Sequence, residues 1–306
     1  MALESRHAIA LLIMDLLFGV SLCYAQAGKA EFFGLILDAS GLPVPQAAVE
    51  LEDQATLVKK TSSTSEHGEY HFFGLGPGTY RVSVVKQGFR EYRQQGLRVR
   101  VADRISFDIR LELGDVVQTL EVTAAAPLLQ ATTGTVSLVV EQKKVVTLPL
   151  DGRNFIPLLA LSPGVALPPG TFFPRVNGSR PRTSEYIYDG IGVLQPEPGQ
   201  VAFYPIIDAI EEFRVNTNSY SAEYGRSNGG VILVNMKSGS NDYHGSLFEF
   251  FRNEKLNARN LFATIGPKPL FRRNQYGFVF GGPIQKQKTF FFADYQGSKQ
   301  LVGVVR

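Results

Sequence analysis

The stretch "HGEYH" places histidine and glutamate two residues apart, so on an extended strand His67, Glu69 and His71 share one face. Two imidazoles and a carboxylate on one face are a possible metal trio. No fourth ligand is in view, and the same alternation describes a solvated face opposite Tyr70 and Phe72. The histidines are His7, His67, His71 and His244, and none opens an H-x-x-E zinc pair. Glu211 and Glu212 are adjacent, so on a helix or a strand their carboxyls diverge and cannot share one general acid/base task. The glycines of "GLGPG" (74–78) join two apolar strands and open no helix, which makes them turn residues rather than a phosphate cradle. Asp151, Arg153, Asp189 and Arg214 read as turn and surface residues. Nothing in these patterns amounts to a catalytic, cofactor-binding or metal centre, and the expectation is a protein that is not an enzyme.

The elements that must position these residues are mostly strands. The chain has 306 residues, 44% hydrophobic and 19% charged, with 30 Gly and 17 Pro. That is enough apolar material for a core, punctuated by turns. A formal net charge of +3, without any Lys/Arg run, argues against a nucleic-acid partner. At the start, Arg6 precedes "AIALLIMDLLFGVSL" and then "CYAQA", where Ala25 and Ala27 make a small-x-small cleavage site. Residues 1–27 therefore read as a signal peptide. A membrane anchor is the rival, but Asp15 in mid-run costs roughly 2.5–3.5 kcal/mol on insertion scales. Cys23, the one cysteine, leaves with the leader, which suits an oxidising compartment.

From 28 to 113 the pattern is strand, turn, strand. In "RISFDIRLEL" Phe107, Ile109 and Leu111 face one way and Asp108, Arg110 and Glu112 the other. Tyr80, Val82 and Val84 belong to a core face, with Arg81 turned to water. Period-2 runs with regular Gly/Pro punctuation predict an antiparallel sandwich of about seven strands. The series Gly68, Tyr70, Phe72, Leu75, Pro77, Gly78, Tyr80, Val82, Val84 resembles the carboxypeptidase regulatory-like domain, a transthyretin/Ig-like β-sandwich that is not itself the peptidase.

Residues 114–135 are poor in charge and rich in Ala and Thr, and read as an extended linker. Residues 136–240 predict an α+β unit. Its parts are a short amphipathic helix in "RNFIPLLALSP", an alternating strand with Tyr186 and Tyr188 on one side, and a short helix running into a strand in "IIDAIEEFRVNTN". A buried strand, "GGVILVNMKSG", has a close-approach glycine pair at its entry. After position 240 aromatic residues crowd: 13 of the 22 Phe and 12 Tyr lie there. "QYGFVFGGPI" alternates Tyr276, Phe278 and Phe280 with Gly277, Val279 and Gly281, the aromatic-out, small-in pattern of a transmembrane barrel strand.

"LPLDGRNF", "NGSRPRTSEYIYDGI", the stretch from "DAIEEFRVNTN" through "FEFFRN", and "FRRNQYGFVFGGPIQKQKTFFFADYQG" together resemble consecutive blocks of the Oar-like TonB-dependent receptors of Gram-negative outer membranes. The resemblance implies a plug domain at 136–240 and the start of a β-barrel at 241–306. It also implies a cell outer membrane location, no cofactor, and as partners the periplasmic TonB complex, outer-membrane lipid and an extracellular ligand of unknown identity. By resemblance Val117, Gln118, Thr119, Leu120, Glu121, Val122, Thr123 and Ala124 occupy the place of the TonB box, with a plain linker as the other reading. With about 9–11 residues per spanning strand, 66 residues give about four strands, whereas the smallest closed barrel has about 8. The expectation is thus the N-terminal part of a transport receptor. The alternative is a secreted or periplasmic carbohydrate- or protein-binding protein that uses sandwich and plug without a barrel.

Overall fold

The alternation of the first hundred residues becomes two facing sheets. The computed structural model describes residues 28–114, 119–122, 129–130, 134–148, 150–195, 197, 199–259 and 268–303, with 119–122 and 129–130 described as backbone. Ala25 and Ala27 lie outside the described residues. In chain order the strands are β1 (Ala30–Asp38), β2 (Ala48–Asp53), β3 (Lys59–Ser63), β4 (Glu69–Leu75), β5 (Gly78–Val85), β6 (Glu91–Val99), β7 (Arg104–Ser106) and β8 (Ile109–Leu111). Two further strands, β9 (Thr119–Val122) and β10 (Leu129–Gln130), come from the stretch read as a linker.

One sheet runs β10-β7-β1-β4, with β8 also on β1; the other runs β3-β2-β5-β6-β9. The purely antiparallel expectation needs correcting, because β7 and β8 run parallel to β1 and β9 runs parallel to β6. The strand predicted through 104–111 breaks at Phe107–Asp108. There the Phe107 amide bonds Phe33 O and the Asp108 carboxylate accepts the Leu35 amide. The predicted faces hold: Phe107, Ile109 and Leu111 are buried, and Tyr80, Val82 and Val84 join Phe32, Leu51 and Leu75 in one core. Within "GLGPG" only Gly74 takes a left-handed φ, at 65°.

The middle unit begins with β11 (Val136–Glu141) and a helix α1 (Gln142–Thr147). A 3₁₀ segment (Ile156–Leu161) follows where an α-helix was expected. Pro157 is tolerated in its first turn, where no amide is needed, and Pro163 forbids its extension. Then come β12 (Val165–Ala166), β13 (Arg175–Val176), β14 (Glu185–Tyr188), β15 (Ile191–Gly192), a 3₁₀ turn (Ile207–Ala209) leading into β16 (Ile210–Asn218), and β17 (Val231–Met236). The sheet order is β11-β16-β17-β14-β15, with β14 parallel to β17. Tyr186 and Tyr188 face a core with Phe155, Phe213 and Val234, while Ile187 faces the other way. At the entry to β17 a Cβ on Gly230 would sit 2.8 Å from Asn216 O, so this position requires glycine's lack of a side chain.

Three long strands close the chain: β18 (His244–Asn253), β19 (Phe271–Gln285) and β20 (Thr289–Val302), an antiparallel meander. About four strands are expected and three occur among the described residues, of which β19 and β20 run for 15 and 14 residues, past the length that crosses hydrocarbon.

Tyr80 is 6% exposed and its hydroxyl donates to Gly76 O at 2.9 Å, so it fills the core and ties down the 74–78 turn. Tyr80→Ala should destabilise the sandwich by about 3–5 kcal/mol, read from denaturant unfolding. A cost below about 1 kcal/mol would place the ring outside the core.

Candidate functional site

The turn at Leu150–Arg153 is where the middle unit meets the terminal meander. Asp151-Gly152 turns the chain, with Gly152 at φ 80° and Arg153 at φ 51°. This aims three polar groups at β18 and β19. The Asp151 carboxylate accepts from Arg252 Nη1 at 3.0 Å and from Arg273 Nη2. Gly152 O accepts from Gln275 Nε2 at 3.3 Å. Arg153 turns inward to an ion pair with Asp208, and its guanidinium lies 4.2 and 4.3 Å from the ring centres of Phe248 and Phe250. A cleft of about 690 Å³ beside this clasp is lined by Val145, Leu148, Leu150, Ile207, Phe250 and Arg273, among others.

The electrostatics follow from these partners. Arg273 first, then Arg252, holds the Asp151 carboxyl below the usual carboxylate range. Burial lowers the pKa of Arg153 while Asp208 opposes the shift. Asp151 and Arg153 were read as surface residues. Asp151 is indeed open to solvent, but the Arg153 side chain is only 10% exposed, and Arg214 is buried against Asp103. Their partners lie 55 and 111 residues away in sequence, so local pattern carried no signal of either pair.

The meander has two unlike faces. Register places Arg252 opposite Arg273, Phe250 opposite Gln275, and Phe248 opposite Gly277. It continues across β20 with Gln275 opposite Ser298, Gly277 opposite Gln296 and Val279 opposite Asp294. This polar face carries the clasp, and Gln275 and Val279 on it are buried. The other face holds Leu247, Phe251, Tyr276, Phe278, Phe280 and Tyr295, each exposed by 39% or more. The alternation read from "QYGFVFGGPI" is therefore observed, aromatic side chains to solvent and small ones inward. Gly277 is needed because a Cβ there would meet Tyr295 O and the Phe248 ring.

The other expected residues fall as follows. Val117, Gln118, Thr123 and Ala124 lie outside the described residues. Thr119 to Val122 form β9, in register with Glu91 to Gln94 of β6. His67 sits in the turn before β4, Glu69 bonds Ser65, and His71 approaches Glu31 at 3.4 Å. No metal-holding group of three His, Cys, Asp or Glu occurs among the described residues. Glu211 and Glu212 diverge as expected, but Glu212 is buried. No helix among the described residues is long and apolar enough to cross a membrane.

A sheet with an aromatic outer face and a polar inner face that clasps a small mixed unit is the arrangement that wall strands of an outer-membrane β-barrel have. Residues 235–304 match the family described as outer membrane beta barrel domain, and residues 32–112 match the carboxypeptidase regulatory-like domain. The chain is mainly β and belongs in the outer membrane. Over 301 residues it is 29% identical to the TonB-dependent transporter Oar of Myxococcus xanthus, of which it is a homologue. That match covers 92% of this chain and 28% of the length of the relative. Among solved structures, the siderophore receptor PirA from Acinetobacter baumannii aligns over 53% of this chain and 24% of its own, at 20% identity and a TM-score of 0.40. A 3-chlorocatechol 1,2-dioxygenase from Rhodococcus opacus aligns over 29% of this chain and 61% of its own, at 10% identity and a TM-score of 0.24.

Arg153 and Asp151 should respond differently to truncation. Arg153→Ala strands Asp208 and empties the space between two rings, and should cost about 3 kcal/mol in denaturant unfolding. Asp151→Ala removes an exposed acceptor and should cost about 1 kcal/mol or less. Because the Asp151 pKa is depressed, its contribution is present above the ordinary carboxylate range and fades as pH falls through the lowered value. The acid limb of the stability curve should flatten slightly in the Ala variant. Equal costs for the two substitutions would remove the distinction.

Proposed function

We propose that this chain is the N-terminal part of a TonB-dependent outer-membrane transport receptor, with 136–240 as the plug and 241–306 as the first strands of the wall. The observation that carries this reading is the clasp. Asp151, Gly152 and Arg153 of the middle unit hold the polar face of strands whose opposite face is aromatic, as a plug seated inside a wall requires. Every backbone group in hydrocarbon needs a partner, so the free edges of β18 and β20 are to be closed by further strands of the whole receptor. The complete protein would bind an extracellular ligand and pass it inward when TonB disturbs the plug. Energy would come from that complex, and the chain itself would perform no covalent chemistry. The match of residues 235–304 to a barrel domain supports this reading over a binding protein without a wall.

Val117–Ala124 is the segment proposed to pair with TonB. A β-prone segment whose one charged residue is Glu121 suits strand addition, because ladder hydrogen bonds supply affinity whatever the side chains. Residues 28–306 have no cysteine, so a thiol introduced there is unique within this stretch. Leu120→Cys in the full receptor should form a disulfide with a cysteine variant of the periplasmic TonB domain. Ala47→Cys, buried in the sandwich, should not. Equal yields at the two positions would reject the assignment.

A further inference from the structure

A second junction lies between the sandwich and the middle unit, and the charges of its buried centre do not balance. The turn Arg100–Asp103 between β6 and β7 enters the side of the middle sheet away from the Phe213 core. Val101 packs with Ile187, Val231 and Leu233. Ala102 is held at φ 53°, a left-handed conformation that alanine adopts only where its surroundings impose it. Here they do, through bonds from the Ala102 amide to Gly28 O and from the Arg100 amide to Asp103 Oδ2.

At the tip of this turn the Val101 amide donates to Glu212 Oε1, and Asp103 pairs with Arg214. Asp103, Glu212 and Arg214 are 4%, 3% and 5% exposed. Two carboxyls and one guanidinium leave one negative charge uncompensated when both acids are ionised, and buried uncompensated charge is costly. The remaining charged neighbours sit toward solvent. Arg98 and Arg100 share the one carboxylate of Glu141, the β11 register partner of Glu212, so the balancing positive charge lies at the exposed rim and not in the buried centre. From β17 the register partner is Asn235, which is uncharged. Glu211, next to it on the strand, interacts with Lys237 and adds the last of the pushes on the Glu212 carboxyl.

We propose that Glu212 is a proton-controlled clasp between sandwich and middle unit, holding the junction closed while its carboxyl is protonated and loosening it on ionisation. The carboxyl is pushed up to about 7, by burial first and then by Asp103, against the Val101 amide and Arg98. The sign follows. A closed junction keeps a proton that an open one, with an ordinary carboxyl near 4.5, releases. Closure is therefore favoured at low pH and weakens as pH rises through about 7. This role is independent of what Val117–Ala124 binds.

Amide hydrogen exchange of the full chain in detergent tests the clasp, with rates at pH 5.5 and pH 8 corrected for intrinsic exchange. Protection of residues 99–104 should fall roughly thirtyfold between those values, while residues 80–85 in the sandwich core stay unchanged. Glu212→Gln should abolish the pH response. Arg98→Gln removes a charge that favours ionisation, so it should move the midpoint upward, and it serves as the test should Glu212→Gln not fold. A flat response in the native chain, an unaltered response in Glu212→Gln, or an unmoved midpoint in Arg98→Gln would each overturn the proposal.

Discussion

One sheet can meet two media because successive side chains of a strand point to opposite sides. The meander β18–β20 depends on this. Leu247, Phe251, Tyr276, Phe278, Phe280 and Tyr295 share one parity of register, and Arg252, Arg273 and Gln275 share the other with Phe248 and Phe250, so a slip of one residue would turn both faces over. Arg252, Arg273 and Gln275 would then leave the Leu150–Arg153 turn, and Tyr276, Phe278 and Phe280 would replace them against it. Register is pinned from both sides. Phe248 lies across Gly277, and Tyr276 lies over Gly297, where a Cβ would meet the tyrosine ring within 3 Å. Small residues thus hold the register that the large ones need.

The middle unit is held at two junctions of opposite character. The meander junction is partly open, and its Asp151 carboxylate is 72% exposed. Such a pairing is weakened by salt and easily exchanged. The sandwich junction buries its three charged groups, so salt screens it far less. Arg153 lies between these extremes. Its pair with Asp208 is mostly buried, and the two phenyl faces that cover it come from the meander, so part of the middle unit's internal order is supplied by its neighbour.

Much of this was legible in the sequence where contacts are local. The alternation in 104–112, the inward Tyr80, Val82 and Val84, the paired tyrosines of β14 and the close-approach glycines before β17 all follow from periods of two and from glycine's missing side chain. What was not legible depends on distant partners. Arg153 and Arg214 look like surface arginines until Asp208 and Asp103 are brought to them. Helix α1, six residues long, has no side-chain cap and follows a β-prone run, so it left no start signal. The parallel pairing of β7 and β8 with β1 cannot be read from alternation, which is the same for either direction of the neighbour.

The stretch read as a linker is the most informative departure. Its backbone pairs with an edge of each sandwich sheet, β9 on β6 and β10 on β7. Open edges invite pairing with other chains, and covering them is a common protection. Parallel ladders are slightly less stable per residue than antiparallel ones, and β9 contributes only four residues. A strand from a partner that forms a longer ladder with Thr119–Val122 gains only the difference between the two pairings, since β6 must be vacated first. Low affinity and ready reversal follow from that difference, and both are properties that the proposed pairing with TonB would need.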